Sequence, residues 1–176
     1  MLGMVENSKP GSCLFKGDEE ERSLGYIEEL RAIVGHRPVI LVGVAVLVFN
    51  EANELLLQLK HGGVWAIPGG LMELGESAEE TGRREVLEET GLVVGRLKLL
   101  GVVSGPEQFV KLPNGDEFYA VTILYSTNEI AEGELRADGV ESVELRYFDV
   151  ERLPEGLSPR IRKQLEQVLG RQDPSS

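Results

Sequence analysis

Residues Gly70 to Leu92, GLMELGESAEETGRREVLEETGL, constrain this chain more than any other stretch. Ser77 and Glu80 form an S-x-x-E capping box, which predicts a helix over roughly 78–90. Gly91 marks its end. Glu85, Glu88 and Glu89 then stand at i, i+3 and i+4, within an arc of roughly 100° on one face. Each like-charge pair weakens the helix by about 0.2–0.5 kcal/mol. Negative charge at the C-terminal end also opposes the helix dipole. A helix built for stability alone would carry Lys there. Divalent cations reverse the sign of that argument, because clustered hard oxygen ligands are what Mg²⁺ binds. Arg84, beside Glu85 and four residues before Glu88, can pair with a carboxylate and hold it in one rotamer. Glu76, just ahead of the cap, can tie the loop down or polarise a bound water.

The glycines before this helix extend the same reading. Pro68-Gly69-Gly70 lets backbone approach a ligand closely. A carbonyl oxygen from Gly69 would complete a magnesium site. Lys60 and His61 end a strand near this loop. Either they contact a substrate phosphate or they form a solvated strand end. Trp65 reads as core.

The remaining elements interleave strands and helices. Leu24, Ile27, Leu30 and Val34 recur at helical spacing, with Gly35 as a stop. The β-branched run VILVGVAVLVF from Val39 predicts a buried strand. A turn over Glu51 to Glu54 then predicts a hairpin with Leu55 to Lys60. Strand character returns from Leu92 to Ser104. Pro113-Asn114-Gly115-Asp116 predicts a second hairpin turn, followed by strands at Phe118 to Tyr125 and Val143 to Phe148. Phe109, Phe118 and Tyr119 flank that turn and read mostly as core. Ser158 and Pro159 open a last helix, whose buried stripe is Ile161, Leu165, Val168 and Leu169. His36 reads as a helix-end residue facing water or the last carbonyls. The pattern predicts one α/β domain over 23–172, a mixed sheet covered by helices on more than one face. A polar, disordered extension is expected over 1–22, and a short tail over 173–176.

Composition narrows the partners. Lys and Arg total 18 against 30 Asp and Glu, a formal charge of −12. Wrapping of a nucleic-acid polymer requires the opposite sign, so it is disfavoured. A small phosphorylated ligand remains compatible if cations bridge the two. The single cysteine, Cys13, permits no intrachain disulfide, which makes the cytoplasm the default expectation. The first residues hold no basic segment followed by an apolar run, so no signal peptide is expected. The longest apolar stretch, Val39 to Phe49, is too short to span a bilayer.

Gly70, Glu76, Arg84-Glu85, Val86, Glu88-Glu89, Gly91 and Leu92 together resemble the Nudix hydrolase family. That family's pattern is Gly, five residues, Glu, seven residues, Arg-Glu, an aliphatic, any residue, Glu-Glu, any residue, Gly, an aliphatic. Every specified position matches, and W-x-x-P-G-G ahead of it is also similar. The order of elements extends the resemblance over roughly residues 38–170.

The resemblance implies a Nudix-type α/β/α sandwich with the box as loop–helix–loop. It implies metal ligation by Glu85, Glu88, Glu89 and the Gly69 carbonyl, with Mg²⁺ as cofactor and Mn²⁺ as a substitute. Gly70, Glu76 and Gly91 would support the box. Apart from the resemblance, Lys60 and Arg84 are the candidates for substrate contact. Water would attack a phosphorus of a small nucleotide, a nucleoside diphosphate linked to another moiety. A carboxylate must then take a proton. In the family it is a box Glu, here Glu88 or Glu89, or a Glu on a downstream loop. On the loop over Asp138 to Glu144, Glu141 is favoured over Glu144, beside the alternative that both are exposed loop carboxylates. Other readings are a nucleoside triphosphate pyrophosphatase and a ligand sensor without turnover. Pro106 lies near, but not on, the spacing of the proline that ADP-ribose hydrolases of this family carry. Homodimers are common among relatives, which leaves that assembly open.

Overall fold

The computed structural model describes residues 25–170. The extension expected over 1–22, Leu24, Cys13 and the tail over 173–176 lie outside the described residues. The described chain contains helices α1 (Tyr26–Val34), α2 (Ala78–Thr90) and α3 (Pro159–Leu169). Its strands are β1 (Val39–Val48), β2 (Leu55–Lys60), β3 (Val64–Ala66), β4 (Gly69–Leu71), β5 (Leu92–Val94), β6 (Lys98–Val103), β7 (Phe109–Lys111), β8 (Glu117–Thr127), β9 (Ile130–Gly133) and β10 (Ser142–Phe148).

β1 is the spine. It runs parallel to β8 over its whole length, from Val39 opposite Phe118 to Val48 opposite Thr127. Its other edge pairs antiparallel with β4. β6 and β7 both pair antiparallel with β8, completing a mixed sheet. β10, β2 and β3 form a second, antiparallel sheet in that order, and β5 pairs with β9.

Alternation along β1 sorts the core into two layers. Val44, Val46 and Val48 pack with Leu56 and with Val86 of α2. Ala45 and Leu47 point the other way, toward Leu55, Leu57 and Trp65, with Ile161, Leu165 and Val168 of α3. Each such buried side chain contributes about 1.5–3 kcal/mol. The outcome is the expected α/β/α sandwich, with a strand apolar on both faces between two helices.

Two local expectations are corrected. The turn after β1 does not close a hairpin: β2 meets β1 only at a single bridge, Phe49 to Leu55, and pairs instead with β10 and β3. Both edges of β1 are already taken by β8 and β4, so the turn passes the chain to the second sheet. Asn53, at φ 61°, sits in the left-handed region there, and Asn50 Oδ1 accepts the Glu54 N–H at 2.9 Å. The strand expected from Leu92 to Ser104 is divided into β5 and β6, which join different sheets.

The second predicted hairpin is present, as β7 and β8 around Asn114-Gly115. Its aromatics differ from expectation. Phe109 and Tyr119 form a tilted pair, centroids 5.2 Å apart, on the exposed surface rather than in the core. Trp65 is core, edge-on to Phe148 at 4.9 Å. α1 closes one end: its Arg31 donates to the Glu117 carbonyl at 2.9 Å, and His36 pairs with Asp116 at 2.8 Å.

Candidate active site

α2 begins and ends as its sequence dictates. The Ser77 hydroxyl accepts from the Glu80 N–H at 3.2 Å, and the Glu80 carboxylate accepts from the Ser77 N–H at 2.8 Å. Gly91 adopts the left-handed conformation, φ 75°, and its N–H reaches the Leu87 carbonyl at 2.9 Å. With the helix register thus set, Val86 enters the core and the carboxylate face turns toward β4 and β2.

Arg84 organises the outer part of that face. It grips Glu76 through Nε at 2.6 Å and Nη2 at 3.0 Å. Its Nη1 donates to Glu85 at 2.8 Å and to Glu88 at 3.0 Å, and Nη2 also reaches the Leu71 carbonyl at 3.3 Å. This guanidinium holds the Glu76 carboxyl down to about 2. Burial pushes the Glu85 carboxyl up, against the pull of Arg84. Gly70 faces Glu85 directly: a Cβ there would lie 2.3 Å from the Glu85 Oε1. Only glycine leaves the carboxylate in place.

Glu89 forms the inner part and is almost fully buried, at 3% exposure. Its Oε2 accepts from the Gly69 N–H at 2.7 Å and from Gln58 Nε2 at 2.8 Å. Its Oε1 meets Lys60 Nζ at 2.5 Å. Burial raises the Glu89 carboxyl, with Lys60, Gly69 and Gln58 opposing. Lys60 also reaches Glu141 at 3.1 Å, and these two carboxylates raise its ammonium despite partial burial. Glu144, two strand positions from the loop, pairs instead with Arg146.

The sequence-derived residues therefore divide into two clusters. Arg84 joins Glu76, Glu85 and Glu88; Lys60 joins Glu89 and Glu141. Gly69 contributes its N–H to Glu89. His61 makes no hydrogen bond among the described residues. Among the described residues, no three acidic or imidazole side chains converge as a ready ligand set, since Arg84 and Lys60 each hold carboxylates. The donor chemistry nevertheless fits a hard divalent cation: carboxylate oxygens at Glu85 and Glu89, raised by burial, beside glycine backbone that a Cβ would obstruct.

Sequence reading missed Gln58 and Ser142, both fully buried here. The available signal was a lone amide in the apolar strand LLLQLK, since a buried polar group demands partners. It also missed the cavity of about 410 Å³ that opens beside the cluster. Its walls run from Lys60, Gly69 and Gly70 past Phe118 to Arg160 and Gln164 of α3. Among the described residues no helix is long and apolar enough to cross a membrane.

Comparison with known proteins agrees with this geometry. The NUDIX domain model matches residues 39–168. The chain is 34% identical over 124 residues to a putative 8-oxo-dGTP diphosphatase of Bacillus subtilis, covering 70% of this chain and 76% of that protein. It is 37% identical over 116 residues to an ADP-ribose pyrophosphatase of Methanocaldococcus jannaschii, covering 64% of each. A MutT NUDIX hydrolase from Burkholderia pseudomallei shares the fold, with TM-score 0.62 and 28% identity over 74% of this chain and 98% of that one. A box matched at every specified position, on a capped helix packed against one core layer, thus accompanies a domain match over most of the chain: the protein belongs to the Nudix family of pyrophosphohydrolases.

Proposed function

We propose that this enzyme cleaves a phosphoanhydride bond in a nucleoside diphosphate linked to another moiety, with Mg²⁺ as its cofactor and Mn²⁺ as a substitute. The observation that carries this reading is the cavity of about 410 Å³ that opens directly onto Lys60, Gly69 and Gly70. Sites for small ligands typically span about 300–1,000 Å³. Lys60, which holds Glu89, and Gly70, which faces Glu85, line this space, and Arg160, Ile161 and Gln164 of α3 line it too.

Glu85, Glu88 and Glu89, with the Gly69 carbonyl, would hold the cation, which would neutralise phosphate charge and activate water. Arg84 keeps Glu85 and Glu88 oriented from the outside. Lys60 offers a second positive charge at the cavity wall, toward the substrate phosphates. Water adds to one phosphorus, the bridging P–O bond breaks, and the freed phosphate oxygen keeps the electron pair. Glu141 takes the proton of the attacking water: it is exposed, and its contact with Lys60 sets it beside Glu89.

The experiment is a panel of ADP-ribose, NADH, dinucleoside polyphosphates, CDP-alcohols and nucleoside triphosphates including 8-oxo-dGTP, with products separated by chromatography. Highest kcat/KM on a diphosphate conjugate, lost with EDTA and restored by Mg²⁺, is expected. The likeness to the putative 8-oxo-dGTP diphosphatase supports a second reading, a triphosphate pyrophosphatase, and a preference for triphosphates would establish it. Tight binding with no turnover anywhere in the panel would overturn both.

A further inference from the structure

Glu89 is held from one side by a buried amide that no motif requires. Gln58 and Lys60 are two residues apart on β2, so both project toward α2. Gln58 Nε2 donates to Glu89 Oε2 at 2.8 Å and to the Ile67 carbonyl at 3.3 Å. Its Oε1 accepts from the Ser142 hydroxyl. Those three contacts admit one orientation of the amide. Turned over, Oε1 would face two acceptors and Nε2 would face the hydroxyl. Ser142, the first residue of β10, directly follows the loop that carries Glu141. There the Asp138 carboxylate accepts the N–H groups of Val140, Glu141 and Ser142 at 3.0, 3.0 and 2.8 Å. One continuous path runs from Asp138 through Ser142 and Gln58 to Glu89, and its two inner members are fully buried.

This path has a chemical consequence. Two neutral donors, Gly69 N–H and Gln58 Nε2, occupy Glu89 Oε2. Among the described residues the other oxygen, Oε1, meets only the exchangeable ammonium of Lys60. Glu89 is thereby a one-sided carboxylate, with Oε1 the oxygen free to meet a cation. We infer that Gln58, with its amide oriented by Ser142, is a positioning residue that fixes Glu89 for cation binding and couples it to the Glu141 loop. The inference rests on the reading of Glu89 as a cation ligand.

The test uses the full chain without substrate and follows Mn²⁺ binding by electron paramagnetic resonance, beside steady-state kinetics. Gln58→Met should weaken Mn²⁺ binding about 10–100-fold, the usual cost of losing a partner that orients a ligand. Its kcat should fall at saturating substrate, with KM little changed. Ser142→Ala, which touches neither Glu89 nor the cation, should also weaken Mn²⁺ binding, and Ser142→Thr should restore it. If Gln58→Met does not fold, as thermal melts would show, the Ser142 pair decides: equal Mn²⁺ affinity in Ala and Thr variants overturns the inference. Glu89→Gln separates the two levels. Loss of Mn²⁺ affinity there, with wild-type values in Gln58→Met and Ser142→Ala, defeats this inference alone. Wild-type affinity and turnover in Glu89→Gln defeat the reading beneath it.

Discussion

Arg84 grips Glu76 with two nitrogens, Nε at 2.6 Å and Nη2 at 3.0 Å, and so anchors the loop ahead of α2 to the helix that follows it. The Glu76 carboxyl, at about 2 when folded, lies well below its ordinary 4.5. A depressed carboxylate stabilises the fold fully above its unfolded value, and the contribution is lost as pH falls through the folded value. The stability gap between wild type and Glu76→Gln should therefore be about 1–3 kcal/mol near neutrality. It should close between about pH 4.5 and pH 2. Denaturant melts across that range check this, and a gap constant with pH would show that the pair contributes nothing.

Glu89→Gln keeps the size of the side chain but removes the buried charge that Lys60 and two N–H donors serve. Turnover with Mg²⁺ should fall about 10²–10⁴-fold. Circular dichroism should remain that of the wild type. A rate near wild type on the best substrate would remove Glu89 from the cation site.

Gly70→Ala places a methyl group 2.3 Å from Glu85 Oε1. That atom ends a flexible side chain, so the carboxylate can swing away at little cost. Stability should change by about 1 kcal/mol or less. Divalent cation affinity, read by calorimetry, should drop sharply. A large loss of stability with unchanged affinity would mean that the glycine serves packing instead.

Glu141 and Glu144 lie three residues apart with different partners, Lys60 and Arg146. Glu141→Gln should lower kcat about 10²-fold or more. Glu144→Gln should leave kcat unchanged. Equal effects of the two substitutions would move the proton-accepting role back to the box carboxylates.

Much of the site's local architecture was legible before any tertiary contact was known. Ser77, Glu80 and Gly91 delimit α2 through contacts within four residues, so its bounds and register follow from sequence spacing. The carboxylate face follows from that register. The β1 run was legible as a strand from its β-branched residues, and it is buried from Gly43 to Val48, while Ile40 and Val42 are exposed.

What sequence could not decide was which elements meet. Strand pairing depends on edges left open by distant segments. β8 and β4 take both edges of β1, so β2 turns to β10, and that pairing brings Ser142 onto Gln58 across 84 residues. Tertiary structure alone also set Lys60 between Glu89 and Glu141 and placed α3 over the cavity. The sequence by itself determined a capped helix with three carboxylates on one face, because helical contacts are local. The fold decided which of those carboxylates is buried, which protein cation neutralises each, and what space lies beside them, because those depend on non-local packing.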